Sequence, residues 1–370
     1  MKILQLVTKR QYRGAEVFAA NLSEELIKLG HEIVFAGLYK NNDNILEVED
    51  AENLDISEEK NTPLSLSLIR SLISIVKKTK PDIVQCNGSD TLKYMVAASY
   101  FLPKIPITYR NISTISEWMG SKVKLQLYKA LFNRVAHVSS VGSGPREDLI
   151  LTLNYPKSKT SVLRRGIPGE QKEIKLCAQN LRNELEFTQD TKIVMHVGNF
   201  SPEKNHRFLL DVFQKIAKDH EKIKLVCVGD GITYDKIQTE IQERKLGGII
   251  HLLGFKKNIP ELLAGADCVV LSSLIEGVPG IILEAAVQGK PCVASNVGGV
   301  KEVLIDKKTG YIIDDFDADV FADKIKQLCL NDQLRFKLGE NAQKLVFKEF
   351  NPLKNAKKFE ALYLKLIKES

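Results

Sequence analysis

The sequence predicts an α/β protein made of two doubly wound domains of similar size. The chain has 370 residues, a length typical of two domains that each bury their own core. Short apolar runs alternate with longer amphipathic stretches, which is the pattern of βαβ units and parallel sheets. The alternation stops near the middle of the chain and then starts again, so two Rossmann-like domains are expected.

The first half contains the elements of one such domain. Apolar runs predict strands, and amphipathic stretches with 3.6-residue periodicity predict helices. The acidic stretch 40–61 predicts a loop. The predicted strands are 1–7, 31–38, 82–86, 105–109, 136–141 and one near 161–163. The predicted helices are 16–29, 64–78, 91–101 and one around 122–132.

The domain boundary is predicted in a stretch without clear periodicity, 164–179. Its first part carries two glycines and a proline, and we interpret 164–169 as the interdomain linker. The expected domains are therefore 1–165 and 166–350. Alternation resumes with strands at 192–197, 223–228, 249–253, 268–271 and 291–294. A helical pattern at 318–348 stops before Pro352, which cannot continue a helix interior, and a last helix is predicted at 353–367.

The composition is that of an ordinary globular protein, with 44% hydrophobic and 27% charged residues. Aromatic residues make up 7%, too few for the stacking platforms of single-stranded nucleic-acid binders. No lysine and arginine block suggests a nucleic-acid tail. The net charge of +7 fits an anionic small substrate, an anionic membrane surface or simple solubility.

The cysteines and the apolar runs suggest a reducing compartment. The six cysteines are scattered, mostly in apolar runs, and form no C-x-x-C pair. They are therefore interpreted as buried small hydrophobic residues, and a disulfide framework or zinc site is not expected. The first apolar run is too short for a secretory signal, and no apolar stretch reaches the ~18 residues of a membrane span. We expect a cytoplasmic protein.

Chemistry is expected in the loops that follow strands, because doubly wound sheets bind ligands at the carboxyl ends of their strands. In HVGNFSPEKNH, a lysine stands beside a predicted helix start, where amides and ammonium both favour an anion such as a diphosphate. Alone, this fragment is better explained by a solvated lysine. LVCVGDG permits close backbone approach to a ligand, and HLLGF offers backbone groups for a nucleobase edge. The fragments are 196–206, 225–231 and 251–255.

The strongest fragment is EGVPGIILEAAVQGKPCVAS, in which Glu276 and Glu284 are separated by seven residues. A glycine-rich loop that leads into a helix binds anions through its free amides. Because a diphosphate would repel a carboxylate, both glutamates are expected to accept hydrogen bonds from sugar hydroxyls. The alternative is two solvated glutamates at a helix end.

Together these motifs resemble family four of the glycosyltransferases, a large group of retaining enzymes with the GT-B fold. The resemblance covers nearly the whole chain, and LQLVTKRQYRGAEVFAANLSEEL is similar to the first strand, loop and helix of that family. The most specific part is the spacing from Glu276 through Gly298 and Gly299 to Glu302. It implies two Rossmann-like domains that face each other across a cleft, with 1–165 on the acceptor side and 166–350 on the donor side. The helix 353–370 would pack back on the first domain.

The resemblance also implies a role for individual residues. Lys204 would hold the donor diphosphate, Glu284 the ribose and Glu276 the transferred sugar. Glu276, Lys204 and Asn111 are the candidates for catalysis. The other implied donor-site residues are Gly14, Gly198, Asn199, Gly229, Phe255, Gly277, Val278, Pro279, Gly280 and Ile281.

The chain departs from the family pattern at three positions. Asn199 stands where an arginine is usual, so one charge for the diphosphate is missing. Asn111 stands where the family often has a histidine in an acceptor-side loop; it cannot act as a base and would either position hydroxyls or cap a turn. Arg13 replaces one of two common glycines. The candidates to supply the missing charge are Arg10, Arg13, Arg164, Arg165 and His206.

The implied function is retaining transfer of a sugar, by default from a UDP donor, to a glycan or lipid-linked acceptor in polysaccharide or lipopolysaccharide biosynthesis. No cofactor and no metal are expected, since no Asp-x-Asp motif or histidine cluster with ligand spacing occurs. The basic stretch 118–134 predicts either peripheral membrane contact or a helix with solvated lysines. The alternatives are a sugar-nucleotide epimerase, a dehydrogenase, which the lack of G-x-G-x-x-G after the first strand disfavours, and a non-catalytic binding module.

Overall fold

The computed structural model describes residues 1–58 and 65–370, which form two compact units. Unit 1 comprises Met1–Pro168 and Phe350–Ser370, and unit 2 comprises Gly169–Glu349. The boundaries predicted from the sequence lie within three residues of these. The predicted loop 40–61 and helix 64–78 extend into 59–64, which lies outside the described residues.

Unit 1 contains a parallel sheet of seven described strands in the order β3-β2-β1-β4-β5-β6-β7. Because β2 lies on one side of β1 and β4 on the other, the strand order reverses between β1 and β4. The strands are β1 Lys2–Lys9, β2 Glu32–Tyr39, β3 Glu52–Ser57, β4 Ile83–Cys86, β5 Ile107–Asn111, β6 His137–Ser140 and β7 Thr160–Val162. The helices before the chain leaves unit 1 are α1 Gly14–Lys28, α2 Leu66–Thr79, α3 Ser89–Ser99, α4 Lys122–Phe132 and α5 Ser143–Leu153.

Unit 2 repeats this plan with six described strands in the order β10-β9-β8-β11-β12-β13, all parallel where they pair. The strand order reverses between β8 and β11. The strands are β8 Lys192–Val197, β9 Ile223–Val228, β10 Ile250–Leu252, β11 Cys268–Leu271, β12 Cys292–Ser295 and β13 Gly310–Ile313. The helices are α6 Ile174–Glu184, α7 His206–Ile216, α8 Tyr234–Glu243, α9 Ile259–Gly265, α10 Gly280–Val287, α11 Ala318–Leu330 and α12 Asp332–Glu349.

The last helix, α13 (Pro352–Lys368), belongs to unit 1. Proline opens it without losing a helical hydrogen bond, and the Asn351 side chain accepts from the Lys354 amide at 2.9 Å. The Phe359 ring lies 5.8 Å from the Phe18 ring of α1. The buried Tyr363 hydroxyl donates to Gln85 Oε1 on β4 at 2.9 Å. The chain end therefore contributes both apolar and polar contacts to the core of unit 1.

Replacing Tyr363 with phenylalanine is expected to lower the free energy of unfolding of unit 1 by about 1 kcal/mol. The loss stays moderate because Gln85 Oε1 also accepts from Thr108 Oγ1 at 2.8 Å. Hydrogen exchange of α13 amides measures it. Tyr100→Phe, at an exposed position, is the control and should leave exchange unchanged. Equal protection in the Tyr363 variant and wild type would show that this bond contributes nothing.

Several elements differ from the prediction, and each has a physical reason. The stretch 40–61 contains β3, an edge strand paired only with β2 in the described sheet, so its partly exposed faces carry polar residues. The pattern at 318–348 is two helices separated at Asn331, whose side chain accepts from the Leu334 amide at 2.9 Å. Helices α5 and α6 and the short strand β13 were not predicted, because their apolar patterns are short.

The six cysteines were expected to be small core residues. All six cysteines are free thiols, and all but the half-buried Cys177 are buried. Their interpretation as small core residues is confirmed for those five. None of the described helices has the length and hydropathy needed to cross a membrane.

Candidate functional site

The predicted donor-site fragments meet at one edge of unit 2, where the strand order reverses between β8 and β11. Strand β8 ends at Val197 and is followed by Gly198, and β11 ends at Leu271 and is followed by two buried serines. In doubly wound sheets, the crevice outside the carboxyl ends at such a switch point binds ligands.

The two loops bring Lys204 and Glu276 into contact, although 72 positions separate them in the sequence. Lys204 Nζ lies 2.6 Å from Glu276 Oε1. Ser273 Oγ donates to the same oxygen at 2.6 Å, and Ser272 Oγ donates to the Lys204 carbonyl at 2.9 Å. The side chains of Lys204 and Glu276 are 22% and 10% exposed. A partly desolvated ammonium and carboxylate thus stand together at the mouth of the site.

Two glycines fix the backbone that carries Glu276. Gly298 has φ of +51°, and a Cβ there would collide with the carbonyl oxygen of Glu276. The Gly299 amide donates to the Gly277 carbonyl at 2.6 Å. Because the two loops touch through their main chains, the specific spacing from Glu276 to Gly299 has a steric cause.

The loop after Glu276 leads into α10, as the sequence predicted. Pro279 is the N-cap of this helix and supplies no side-chain hydrogen bond to it, so α10 begins with amides that no N-cap side chain covers. Such amides and the helix dipole attract anions. Glu284 lies half-buried in the second turn, and Glu276 lies in the preceding loop. The segment 277–281 therefore presents main chain between the two predicted carboxylates.

The loops after β9 and β10 adjoin the same edge. Gly229 has φ of +139°, and a Cβ there would collide with the Gly198 carbonyl. The Phe200 amide donates to the Asp230 carbonyl at 2.8 Å, and the Gly229 amide donates to the Gly254 carbonyl at 2.8 Å. Phe255, which follows, is exposed. The structure thus brings all four fragments of the sequence prediction together.

Asn199 and His206 do not supply the charge that the missing arginine would carry. Asn199 is exposed, and its Oδ1 lies 2.9 Å from the position of a Cβ on Gly231, so it covers the glycine loop. His206 is buried, with its ring stacked on Phe200 at 4.0 Å and edge-on to His196 at 4.7 Å. Burial lowers the pKa of His206 to about 2 and that of His196 to about 4. His206 is therefore neutral at physiological pH.

Because His196 and His206 are buried as neutral rings, we expect unit 2 to lose stability in acid. Both folded-state pKa values lie below the ordinary value of about 6.5, so the unfolded state takes up protons first as the pH falls. The two neutral histidines therefore make their full contribution to the free energy of unfolding above about pH 6.5, and this contribution is lost as the pH falls below that value. The contribution of His206 should fall by about 2 kcal/mol between pH 7 and pH 5.

Urea unfolding at both pH values tests this prediction. His206→Phe, which keeps the stack on Phe200, should lose about 2 kcal/mol less than wild type over this interval. His220→Phe, at a half-buried position after α7, is the control and should lose as much as wild type. An unchanged pH dependence in His206→Phe would mean that His206 is not desolvated.

The candidate residues Asn111 and Gly14 lie in unit 1, away from the Lys204–Glu276 pair of unit 2. Asn111 is the last residue of β5 and not part of a loop, so the predicted loop position is wrong. It is 1% exposed, and its amide donates to the Pro145 carbonyl at 2.9 Å and lies 3.4 Å from Ser140 Oγ. These bonds tie β5 to the start of α5, which favours the structural interpretation. Gly14 begins α1, and no described atom lies within 4 Å of a Cβ added there.

The remaining arginines considered for the missing charge also lie in unit 1. Arg10 forms a bidentate pair with Asp55, with Nε–Oδ1 at 3.0 Å and Nη2–Oδ2 at 2.9 Å. The Arg164 guanidinium lies 5.1 Å from the centre of the Phe350 ring. Arg165 is buried and Arg13 is exposed. Of these side chains, Arg13 alone combines exposure with a position beside the first helix start.

Sequence reasoning missed Ser273, which shares the Glu276 carboxylate with Lys204. The one signal for it is a pair of serines directly after an apolar strand and shortly before the glutamate. Among the described residues, no group of three or more His, Cys, Asp or Glu side chains is placed to hold a metal ion.

Two family models match the chain. The model described as "Glycosyltransferase Family 4" matches residues 12–171, and the one described as "Glycosyl transferases group 1" matches residues 178–345. The matched segments correspond to most of unit 1 and most of unit 2.

Curated relatives match over different lengths. N-acetyl-alpha-D-glucosaminyl L-malate synthase of Bacillus anthracis is 30% identical over 189 residues, which are 51% of this chain and 49% of the relative. UDP-Gal:alpha-D-GlcNAc-diphosphoundecaprenol alpha-1,3-galactosyltransferase of Escherichia coli is 27% identical over 307 residues, 80% of this chain and 79% of the relative. The match therefore spans about half the length of the first relative.

Solved structures with low sequence identity share the fold. HepE of Anabaena, in complex with UDP and glucose, has a TM-score of 0.84 at 20% identity, covering 99% of this chain and 100% of HepE. WaaG, a glycosyltransferase involved in lipopolysaccharide biosynthesis, has a TM-score of 0.78 at 14% identity, covering 98% and 99%.

Proposed function

The chain belongs to glycosyltransferase family 4 and has the GT-B fold, and from this we propose that it transfers a sugar from a nucleotide-sugar donor to a hydroxyl of a glycan or lipid-linked acceptor. The observation that carries the proposal is the Lys204–Glu276 pair at the switch point of unit 2. The pair places one cation, and one carboxylate that can accept hydrogen bonds from sugar hydroxyls, where this fold class binds ligands.

Lys204 is proposed to neutralise the donor diphosphate. Its ammonium is partly exposed beside the loop of Gly198, and the free amides at the start of α10 add positive potential. As the bond to the sugar breaks, negative charge grows on the leaving diphosphate. Groups that are already oriented toward that charge stabilise the transition state without reorganisation.

The two glutamates are proposed to bind hydroxyls. When the Lys204 ammonium pairs with the diphosphate, Glu276 keeps its hydrogen bond from Ser273. Its carboxylate then accepts a further hydrogen bond from a hydroxyl of the transferred sugar. Glu284, five residues into α10, accepts from the ribose, as carboxylates do in dinucleotide folds. The carboxylates and the cation thereby divide the recognition of sugar and phosphate.

We propose transfer with retention and without a protein nucleophile. The acceptor oxygen bonds to the anomeric carbon on the face that the leaving diphosphate departs from, and the acceptor proton passes to that diphosphate. Lys204 and the α10 amides would balance the leaving charge, so no metal or cofactor is expected. The involvement of Asn111 is unnecessary for this route, because its amide donates to the protein main chain.

UDP is the proposed nucleotide and a surface glycan or glycolipid the proposed product. Two similar proteins support this choice: HepE is in complex with UDP, and the Escherichia coli relative is named for a UDP-Gal donor and a diphosphoundecaprenol acceptor. Helix α4 adds support for peripheral membrane contact, because it exposes Val123 and Leu127 beside Lys122. Apolar and basic groups on one helix suit an anionic membrane surface.

Donor hydrolysis followed by proton NMR tests the proposal without knowledge of the acceptor. The protein is incubated with UDP-glucose, UDP-galactose or UDP-N-acetylglucosamine, with and without a metal chelator, and water serves as acceptor. We expect one donor to release UDP and the free α-sugar first, in both conditions. Release of the β-sugar would overturn retention, and an epimerised sugar would support the epimerase. Binding of UDP without any turnover would support the non-catalytic module.

A further inference from the structure

We infer that Ser273 is a positioning residue for sugar transfer, whose hydroxyl holds one oxygen of the Glu276 carboxylate and leaves the other oxygen to a hydroxyl of the transferred sugar. The inference deepens the proposed function, on which it rests, because it names the group that orients the proposed sugar-binding carboxylate. Ser273 is 0% exposed, so it acts through Glu276 and not by contact with the donor.

Both hydrogen bonds to the Glu276 carboxylate converge on a single oxygen. Lys204 Nζ and Ser273 Oγ each lie 2.6 Å from Glu276 Oε1. Because an ionised carboxylate cannot donate, the hydroxyl hydrogen of Ser273 points to Oε1. The second oxygen, Oε2, has no hydrogen-bond partner among the described residues and is open to solvent. The arrangement therefore leaves one carboxylate oxygen as a free acceptor in a fixed orientation.

The two donors to Oε1 differ in how firmly they are held. The Lys204 side chain is 22% exposed, and the four-carbon stem of a lysine is flexible. Ser273 is buried, and its carbonyl accepts from the hydroxyl of Ser295, the last residue of β12, at 2.7 Å. Its short side chain thus extends from a main chain that is tied to the neighbouring strand. Lys204 can therefore move toward a ligand, whereas Ser273 stays in place.

This difference decides the orientation of Glu276 when a diphosphate is bound. The Lys204 ammonium, which is the proposed partner of the diphosphate, then leaves Oε1, and the hydrogen bond from Ser273 remains. That bond keeps the carboxylate from following the ammonium toward the diphosphate, which would repel it. Hydrogen bonds to a charged group are short and strong, and a side chain that is already oriented loses less entropy on binding. Ser273 therefore keeps Oε2 directed at the sugar.

The neighbouring serines have a different kind of partner. Ser272 and Ser295 are also buried, but their hydroxyls donate to main-chain carbonyls, those of Lys204 and Ser273 respectively. Such bonds are the ordinary way in which a buried serine is satisfied. Of these three hydroxyls, that of Ser273 is the one that bonds a charged side chain of the site, and its loss would leave the Glu276 carboxylate with one donor fewer.

A double-mutant cycle on the full chain tests the inference, because it separates a residue that acts through Glu276 from one that only supports the fold. The substrate is the UDP-sugar that wild type hydrolyses fastest, and UDP is the inhibitor. We expect Ser273→Ala to lower kcat/KM of donor hydrolysis by about tenfold, the effect of one hydrogen bond to a charged group, with the Ki of UDP within threefold of wild type. In the Glu276→Ala background, Ser273→Ala should change kcat/KM by less than twofold.

Two further variants serve as controls, and the melting temperature of every variant is measured. Ser273→Thr keeps the hydroxyl and should retain kcat/KM within threefold of wild type. Ser23→Ala removes the hydroxyl of another serine that is 0% exposed, which donates to the Ala19 carbonyl in α1 at 2.7 Å. It should leave both kcat/KM and the Ki of UDP unchanged.

Two outcomes in an active wild-type protein would overturn the role of Ser273 alone. One is a Ser273→Ala protein whose kcat/KM stays within twofold of wild type. The other is an equal fall in kcat/KM with and without Glu276, or in Ser273→Ala and Ser273→Thr alike, which would assign Ser273 to the fold. A wild-type protein that hydrolyses no UDP-sugar would contradict the proposed function itself and, with it, the positioning role.

Discussion

Replacing Lys204 with alanine is expected to lower the rate of sugar transfer or donor hydrolysis by about 10²–10³-fold, the effect of removing one preorganised group that stabilises transition-state charge. Lys204 is the cation whose ammonium stands 2.6 Å from Glu276 at the switch point of unit 2. Lys204→Arg keeps the charge and should retain much of the rate. The rate at saturating donor measures the effect.

Arg207→Ala is the matched control for Lys204. Arg207 lies in the first turn of α7 and pairs with Glu240 through an exposed guanidinium, so its loss removes a nearby positive charge without touching the site. Its rate should stay within twofold of wild type. A Lys204→Ala protein that keeps its melting temperature and turns over within threefold of wild type would contradict the assignment of Lys204 to the leaving group.

Replacing Asp267 with alanine is expected to destabilise unit 2 by about 3–5 kcal/mol, because it takes the carboxylate partner away from the buried guanidinium of Arg182 and one of two from Arg335. The Asp267 carboxylate lies 3.2 Å from Arg182 Nη2 and 3.4 Å from Arg335 Nη2, and it accepts from the Ile193 amide at 2.8 Å. Lys290 lies in the same cluster, where burial lowers its pKa to about 8. Asp267 is therefore the carboxylate that Arg182 and Arg335 share.

Asp332→Ala provides the control for this cluster. Asp332 also pairs with Arg335, at 2.7 Å, and with Lys192, at 3.1 Å, but its own side chain is 59% exposed, and a carboxylate that remains in water contributes less than about 1 kcal/mol per pair. Hydrogen exchange of β8 amides, with β1 amides as internal reference, measures both variants. Equal loss of protection in the two variants, or none in either, would show that burial does not set the contribution of Asp267.

The sequence predicted the central strands of unit 2 accurately because they are buried on both faces. Strands β8, β9 and β11 have the predicted bounds, since CVVL is apolar throughout and KIVMHV is apolar except for Lys192 and His196. The edge strand β3 reads ENLDIS and lies half-exposed, so no apolar pattern marked it. The prediction therefore succeeded where both faces of a strand are apolar and failed at β3, where polar residues interrupt the pattern.

The candidate site was predicted unevenly for a similar reason. The spacing between Glu276 and Glu284 is local, so the loop and helix that carry it could be assigned from the sequence. The contact of Lys204 with Glu276 joins two distant loops and depends on the order of β8 and β11.

Calorimetric titration of UDP into wild type and Glu284→Ala, with GDP, ADP and NAD as comparisons, tests the central claim that unit 2 binds a nucleotide-sugar donor. The account predicts that UDP binds wild type and that Glu284→Ala, with an unchanged melting temperature, binds it at least tenfold more weakly. Binding of NAD in place of UDP, or UDP binding that Glu284→Ala leaves unchanged, would contradict it.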